Sequence, residues 1–186
     1  MGNANTTRDP RADALLAIRC QLGERDAFDA LIARWHEPLW RYLRTLASSS
    51  EVADDLSQDT WLRVLRSIAA LRDASRLRPW LFGIARRVAM DRLRFRYAHP
   101  TADLAEIDDM AAAEADIALE SDLATLQSAL DALPVSDRET LTLFYLRELT
   151  IEQIATLLQA PTGTIKSRLF RARELLRREL DTGAHK

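Results

Sequence analysis

Six cationic side chains crowd into one short stretch near the C-terminal end of the chain: Lys166, Arg168, Arg171, Arg173, Arg177 and Arg178. Only Glu174 and Glu179 oppose them, which leaves the stretch at +4. Ammonium and guanidinium groups at this density hold phosphate, and arginine adds a planar fork that fits base edges. Ile165, Leu169, Ala172, Leu175 and Leu176 recur at helical spacing between the cations, so the charges occupy the outer side of an amphipathic helix. Just before it lies a shorter helix. Thr150 and Gln153 form a capping box, and Ile151, Ile154, Ala155 and Leu158 share one face. Gln159-Ala160-Pro161 ends that helix, because proline cannot continue it, and Thr162 or Thr164 can cap the next. A short capped helix, a tight turn and a basic helix make a helix-turn-helix, whose second helix can enter a DNA major groove. The competing reading is an ordinary helical hairpin with a solvated charged face. Such turns usually carry glycine where this chain has Gln159, so that residue is expected at positive φ.

A second basic segment runs from Arg76 to Tyr97. Arg76, Arg78, Arg86, Arg87, Arg92, Arg94 and Arg96 stand against Asp91, a net of +6. Trp80 and Phe82 lie beside these arginines, a combination suited to single-stranded nucleic acid, where cations hold phosphates and aromatic planes stack on bases. Aromatics at helical spacing are more often core, and Trp80, Leu81, Ile84, Val88 and Leu93 are expected to pack inward. Between the two basic segments, Pro100 to Asp131 holds nine acidic residues and no lysine or arginine. That segment reads as a linker which DNA repels, and the overall net charge of −2 conceals it.

The elements that must carry these residues read as helices throughout. Residues 1–11 are polar and expected to be disordered, and Ala14–Gln21 starts a helix. Asp26–Ala47 forms a longer one with Phe28, Leu31, Ile32, Trp35, Leu39, Leu43 and Leu46 near one face, kinked or restarted at Pro38. Ser50 can cap the next helix, Glu51–Leu71, where Leu56, Leu62, Val64 and Leu65 supply apolar contact with Trp61 beside them. Asp54, Asp55, Gln58 and Asp59 cluster near its start, either as simple capping charge or as a docking face for a basic partner. Leu71–Pro79 reads as a loop and Trp80–Tyr97 as a helix. Leu123–Leu133 resumes a helical pattern. Ser136 with Glu139 reads as a second capping box, and Leu141, Leu143, Phe144 and Leu146 cover that helix against the helix-turn-helix.

Several classes of function find no support in the composition. Cys20 is the single cysteine, so neither an internal disulfide nor a cysteine zinc site is available. His36, His99 and His185 are scattered and form no catalytic constellation. No apolar run reaches the roughly 18 residues of a membrane helix, and the N-terminal residues lack a signal-like apolar core. The expectation is a cytoplasmic, non-enzymatic protein without cofactors.

Four stretches, in order, resemble a known family: AFDALIARWHEPLWRYL from Ala27, ADDLSQDTWLRVL from Ala53, RPWLFGIARRVAMDRLR from Arg78, and LPVSDRE with LTIEQIATLLQAPTGTIKSRLFRARELLR from Leu133 and Leu149. Together they are similar to bacterial RNA polymerase sigma factors of the extracytoplasmic-function (ECF) group, over about Ala27–Leu180. The resemblance implies an all-α fold of two small helical domains joined by an acidic linker, the C-terminal one a helix-turn-helix. Residues 1–20 would be a tail and the start of the first helix, 21–98 the region 2 domain, 99–122 the linker and 123–182 the region 4 domain. Asp55, Gln58, Asp59 and Trp61 would grip the clamp helices of the polymerase's largest subunit. Arg78, Trp80, Arg86, Arg87, Asp91 and Arg94 would melt and hold the minus-ten box of the promoter, with the 69–78 loop beside them. Thr164, Lys166, Ser167, Arg168, Phe170, Arg171 and Arg173 would read the minus-thirty-five box, with Lys166, Arg168 and Arg173 on phosphate and Ser167, Phe170 and Arg171 near base edges. The flap of the second-largest subunit and an anti-sigma factor are the further partners implied. Arg87 stands where the family usually has asparagine, and Gln159 where it has glycine. From other classes, a stand-alone helix-turn-helix regulator or a helical adaptor that binds only protein would fit the same elements.

Overall fold

The structure is a computed structural model that describes residues 9–98, 129–130 and 132–183. Every regular element there is helical, and no strand occurs among the described residues. Two compact units are present. Among the described residues, 9–43 and 53–98 build the first, and 129–130 and 132–183 build the second, with which 44–52 is grouped. The expected acidic linker, 99–122, lies outside the described residues, as do 1–8 of the expected tail.

The first unit begins earlier than its apolar pattern suggests. Helix α1 spans Pro10–Gln21, with Asp9 as N-cap accepting from the Arg11 backbone N–H at 2.9 Å. Asp-Pro is a start signal in its own right, since proline at the first helical position forfeits no hydrogen bond. The end of the expected disordered tail is therefore helical. Two ties hold α1 in place. Asp13, its side chain 7% exposed, pairs with Arg34 of the next helix at 2.6 Å. The Gln21 amide donates to the carbonyls of Ile68 and Leu71 at 3.1 and 2.7 Å.

Helix α2, Arg25–Arg44, runs through Pro38 without a restart. Pro38 is itself buried, and Trp35, Leu39, Tyr42 and Leu43 anchor the helix on both sides of it. Helix α3 covers Ser50–Ser67, and the cap is Ser49 rather than Ser50: its hydroxyl accepts from the Val52 N–H at 3.3 Å. Two single 3₁₀ turns follow, Ile68–Ala70 and Ala74–Arg76. They lead into helix α4, Leu77–Ala98, with Pro79 in its first turn, where the missing N–H costs nothing. The core aromatic of α4 is Phe82 and not Trp80, although Leu81, Ile84 and Val88 are buried as expected. Leu77, Leu81, Phe82, Ala85 and Ala89 are buried, whereas Trp80, roughly 100° round the helix from that face, is only half-buried. Phe82 instead meets Trp35 and Tyr42 edge-to-face, with centroids 6.2 and 5.3 Å apart. Leu93 is half-buried, and Ile32, Leu62 and Leu65, expected in the core, are exposed.

In the second unit, helical residues 129–130 precede α5, Val135–Leu141. The expected capping box at Ser136 does not form. Pro134 occupies the N-cap position, no side chain caps the helix, and the Pro134 carbonyl takes the N–H groups of Asp137 and Arg138 at 2.9 Å. One turn of π-helix, Thr142–Leu146, follows. It buries Leu143 but leaves Leu146 exposed, contrary to the expected cover. Helix α6, Ile151–Leu158, opens with the Thr150–Gln153 capping box, both reciprocal bonds present at 3.2 and 3.0 Å. Helix α7, Thr162–Gly183, packs along α5 and α6 through Ile165, Leu169 and Ala172, with Leu133 and Leu141 closing the core.

The turn between α6 and α7 has the expected strained residue. Gln159 adopts φ 53°, ψ 44°, the left-handed conformation that a Cβ disfavours by about 1 kcal/mol. Gln159→Gly is accordingly expected to leave the melting temperature unchanged or raise it, with glycine's looser unfolded chain offsetting part of the gain. A clear drop in thermal melting would show that the glutamine side chain contributes more than its backbone costs.

Candidate nucleic-acid and polymerase interfaces

Helix α7 presents its cations unevenly. Lys166, Ser167, Phe170, Arg171, Arg173, Arg177 and Arg178 are exposed, while Thr164 and Arg168 are half-buried. Two of these arginines have partners on other elements, and Arg177 pairs with Glu174 of the same helix at 3.5 Å. Arg173 donates through Nε to the Tyr145 hydroxyl at 2.7 Å and lies over the rings of Phe144 and Tyr145, 6.0 and 5.4 Å from their centroids. Arg171 bonds Asp137 of α5 through Nε and Nη2, both at 3.2 Å, and those bonds hold its guanidinium still more firmly protonated. Ser167 donates to the Gly163 carbonyl at 3.0 Å. Phe170 is 64% exposed, a large apolar group with no reason to face water in an isolated hairpin. Lys166 lies near Glu152, whose carboxyl is held low by hydrogen bonds at the α6 N-terminus and, more weakly, by that charge.

Helix α4 supplies the second basic surface. At about 100° per residue, Trp80, Gly83, Arg87, Asp91 and Arg94 share one face, Arg86 falls to one side of it, and Arg78 lies across the helix from it. Arg87, Asp91 and Arg94 are exposed, and Arg86, Arg78 and Trp80 are half-buried. A Cβ at Gly83 would meet only the end of Arg87 at 4.0 Å, so this helical glycine leaves the face flat between Trp80 and Arg87. The Arg78 guanidinium sits over the Trp35 ring at 5.6 Å, which directs part of it toward the core. Asp91, the face's lone acid, is flanked by Arg94 at 3.3 Å and by Arg63 of α3 at 2.9 Å. Both pairs are about half exposed, so each contributes no more than roughly 1 kcal/mol. Their effect is to add Arg63 to the basic face, a residue that only the fold brings there from α3.

On α3, Asp55, Gln58 and Asp59 are exposed at helical spacing, followed one turn on by Leu62, 45% exposed. Trp61 is half-buried and its indole N–H donates to His36 Nδ1 at 3.3 Å, which ties the edge of this surface to α2. Asp54 differs from its neighbours: it accepts from the Trp40 indole at 2.6 Å and so joins α2 to α3. The acidic cluster thus separates into one structural carboxylate and two outward ones. Glu51 and Asp73 are held below the usual carboxylate range by bonds from Ser49 and Ser75 respectively, as turn and cap residues are.

Burial pushes the Cys20 thiol up, so it stays protonated. Among the described residues no group of His, Cys, Asp and Glu could hold a metal ion, and no helix is long and apolar enough to cross a membrane.

Comparison with known proteins places both units. The Sigma-70 region 2 family model matches residues 31–98, and the Sigma-70, region 4 model matches residues 123–176. The chain is 37% identical over 173 residues to the ECF RNA polymerase sigma factor SigM of Mycobacterium tuberculosis (strain H37Rv), covering 93% of this chain and 87% of that one. It is 30% identical over 180 residues to the RNA polymerase sigma-H factor of Pseudomonas aeruginosa, covering 90% and 93%. Among solved structures it resembles the sigma factor RpoE in complex with the anti-sigma factor NepR from Bartonella quintana, with TM-score 0.71, 28% identity and coverage of 83% and 96%. It also resembles CnrH in complex with the cytosolic domain of CnrY, with TM-score 0.66, 27% identity and coverage of 92% and 98%. The family is one of transcription initiation factors, not enzymes, and this removes the stand-alone regulator from the readings left open by the sequence. The chain belongs to the ECF group of bacterial RNA polymerase sigma factors.

Proposed function

We propose that the protein binds core RNA polymerase and directs it to particular promoters, with the outward carboxylates of α3 docking on the clamp helices and the two basic helices on DNA. The observation that supports this best is the pairing of roles within one chain: α4 and α7, in different units, each present a cationic face, while α3 presents an acidic one. Phosphate contacts supply affinity and register, and base edges supply sequence. The α7 face reads the minus-thirty-five box. The α4 face, with the 69–76 segment before it, opens the minus-ten box. Unpairing a few base pairs costs a few kcal/mol, which capture of an extruded base and stacking on Trp80 would offset. The Arg87 side chain brings a further charge to that site where the family usually has a neutral amide, and tighter phosphate contact follows. The second unit takes the polymerase flap. Two of the similar solved structures are complexes, one with an anti-sigma factor and one with a cytosolic domain of another protein, and a partner of that kind is proposed here as the means of holding the protein inactive.

The test is promoter binding and transcription with and without core polymerase. Specific gel shifts and a defined start site are expected only when both proteins are present. Sequence-specific binding of equal strength without polymerase, or no co-elution with core enzyme, would overturn the proposal. Sequencing the transcripts of the reconstituted holoenzyme identifies the promoter read.

A further inference from the structure

The contact between α5 and the recognition helix carries more than packing. Asp137 sits in the first turn of α5 with its side chain 3% exposed, while Arg171 of α7 is 59% exposed. A buried carboxylate needs strong partners. Asp137 has Arg171 Nε on Oδ2 and Arg171 Nη2 on Oδ1, each at 3.2 Å, with the Ser136 hydroxyl donating to Oδ1 at 3.3 Å. The guanidinium is planar and carries five N–H donors. Engaging Nε and one hydrogen of Nη2 leaves three, of which one on Nη1 and one on Nη2 form the neighbouring end-on edge. That edge is the one that pairs with guanine O6 and N7 in a major groove. An arginine free on its stem must give up about 2 kcal/mol of rotamer entropy to make that pair. Arg171, held from behind, has already lost much of it in the folded protein. Arg173 is held differently: its bond to Tyr145 and its position over two rings occupy the guanidinium without leaving so well-defined an edge.

We propose that Asp137 is a positioning residue for promoter recognition: it does not touch DNA, but aims Arg171 so that this arginine reads a guanine instead of settling on a phosphate. This rests on the sigma-factor reading given above. It adds a residue of the α5 N-terminus to the specificity of a helix that follows it by more than twenty residues.

The experiment uses holoenzyme reconstituted from core polymerase and wild type, Asp137→Ala, Asp137→Asn, Arg171→Ala or Arg171→Lys. Each binds a pool of promoters randomised through the upstream box and built on a start site found with wild type. Arg171→Ala is expected to erase a guanine preference at one position. Asp137→Ala is expected to weaken the preference at that same position at least about five-fold, the lower end of what one bidentate pair discriminates. Preferences at the other positions should stay as they are. The released arginine becomes available to phosphate, so the salt dependence of binding should steepen by about one counterion. Asp137→Asn, which can keep one acceptor, should fall between. If Asp137→Ala does not fold, Asp137→Asn serves in its place: it keeps the shape, loses the charge that draws the guanidinium, and should weaken the same preference. A purely structural pair would give a lower melting temperature and an equal loss at every position, and that result would overturn the proposal, as would an unchanged preference profile. Wild-type holoenzyme with no base preference anywhere in the box would instead sink the promoter-reading function itself.

Discussion

Asp55→Arg together with Asp59→Arg is expected to abolish binding to core polymerase while leaving the fold intact. Both carboxylates are exposed on α3 and lie beyond its first turn, so little helix-dipole energy depends on them. The change converts a charge of −2 on that face to +2. Against a basic clamp surface, each attraction becomes a repulsion of similar size, and like charges set against each other at an interface cost several kcal/mol. Within the protein the cost is small. Asp59→Arg places a cation four residues before Arg63, a repulsion of about 0.2–0.5 kcal/mol on a helix surface. Asp54 is left unchanged because its bond to the Trp40 indole joins α2 to α3, and altering it would confuse docking with folding. Co-elution with core polymerase on size exclusion, alongside circular dichroism and a melting curve, decides the matter. Normal holoenzyme assembly by the double variant would refute the docking assignment.

Phe82→Ala is expected to destabilise the first unit by about 3–5 kcal/mol, the range for removing a large aromatic from a packed core. The ring is fully buried, between Trp35 and Tyr42. Its loss would also loosen the Trp35 ring on which the Arg78 guanidinium rests. That would carry the damage to the proposed minus-ten face. All four tryptophans, Trp35, Trp40, Trp61 and Trp80, belong to the first unit, so tryptophan fluorescence in a denaturant titration follows that unit alone. A shift of the midpoint worth less than about 1 kcal/mol would mean that neighbours collapse into the vacancy. The companion substitution Trp80→Ala should cost far less, since that side chain is only half-buried.

These two predictions show where local sequence was a sufficient guide and where it was not. The capping box at Thr150, the left-handed Gln159 and the amphipathic stripe of α7 are each written in residues a few positions apart, and local chemistry determines them. The exchange of Trp80 for Phe82 in the core is set by the rings of Trp35 and Tyr42 on another helix, and the start of α4 at Leu77 is hidden because proline usually signals a break and is tolerated in a first turn. Ser136 lost its expected role when the preceding Leu-Pro placed the helix start two residues earlier. The partners of Arg171 and Arg173, and the Arg63 partner of Asp91, come from other elements and could not be read from the chain at all. Of the residues assigned to each interface, those that stand outward follow the helical period. The interior ties that orient them are set only by tertiary packing.

Leu62 and Leu65 sit in the open beside Asp55 and Asp59, 45% and 55% exposed. While the protein is alone, mutual repulsion between carboxylates keeps two such oily patches from meeting. Raising the ionic strength mutes that repulsion within a few ångströms and leaves the leucines as they were. Concentrated stocks of the free factor are thus expected to be colloidally safest in dilute buffer, and storage in strong brine invites the molecules to clump through the surface proposed here for docking.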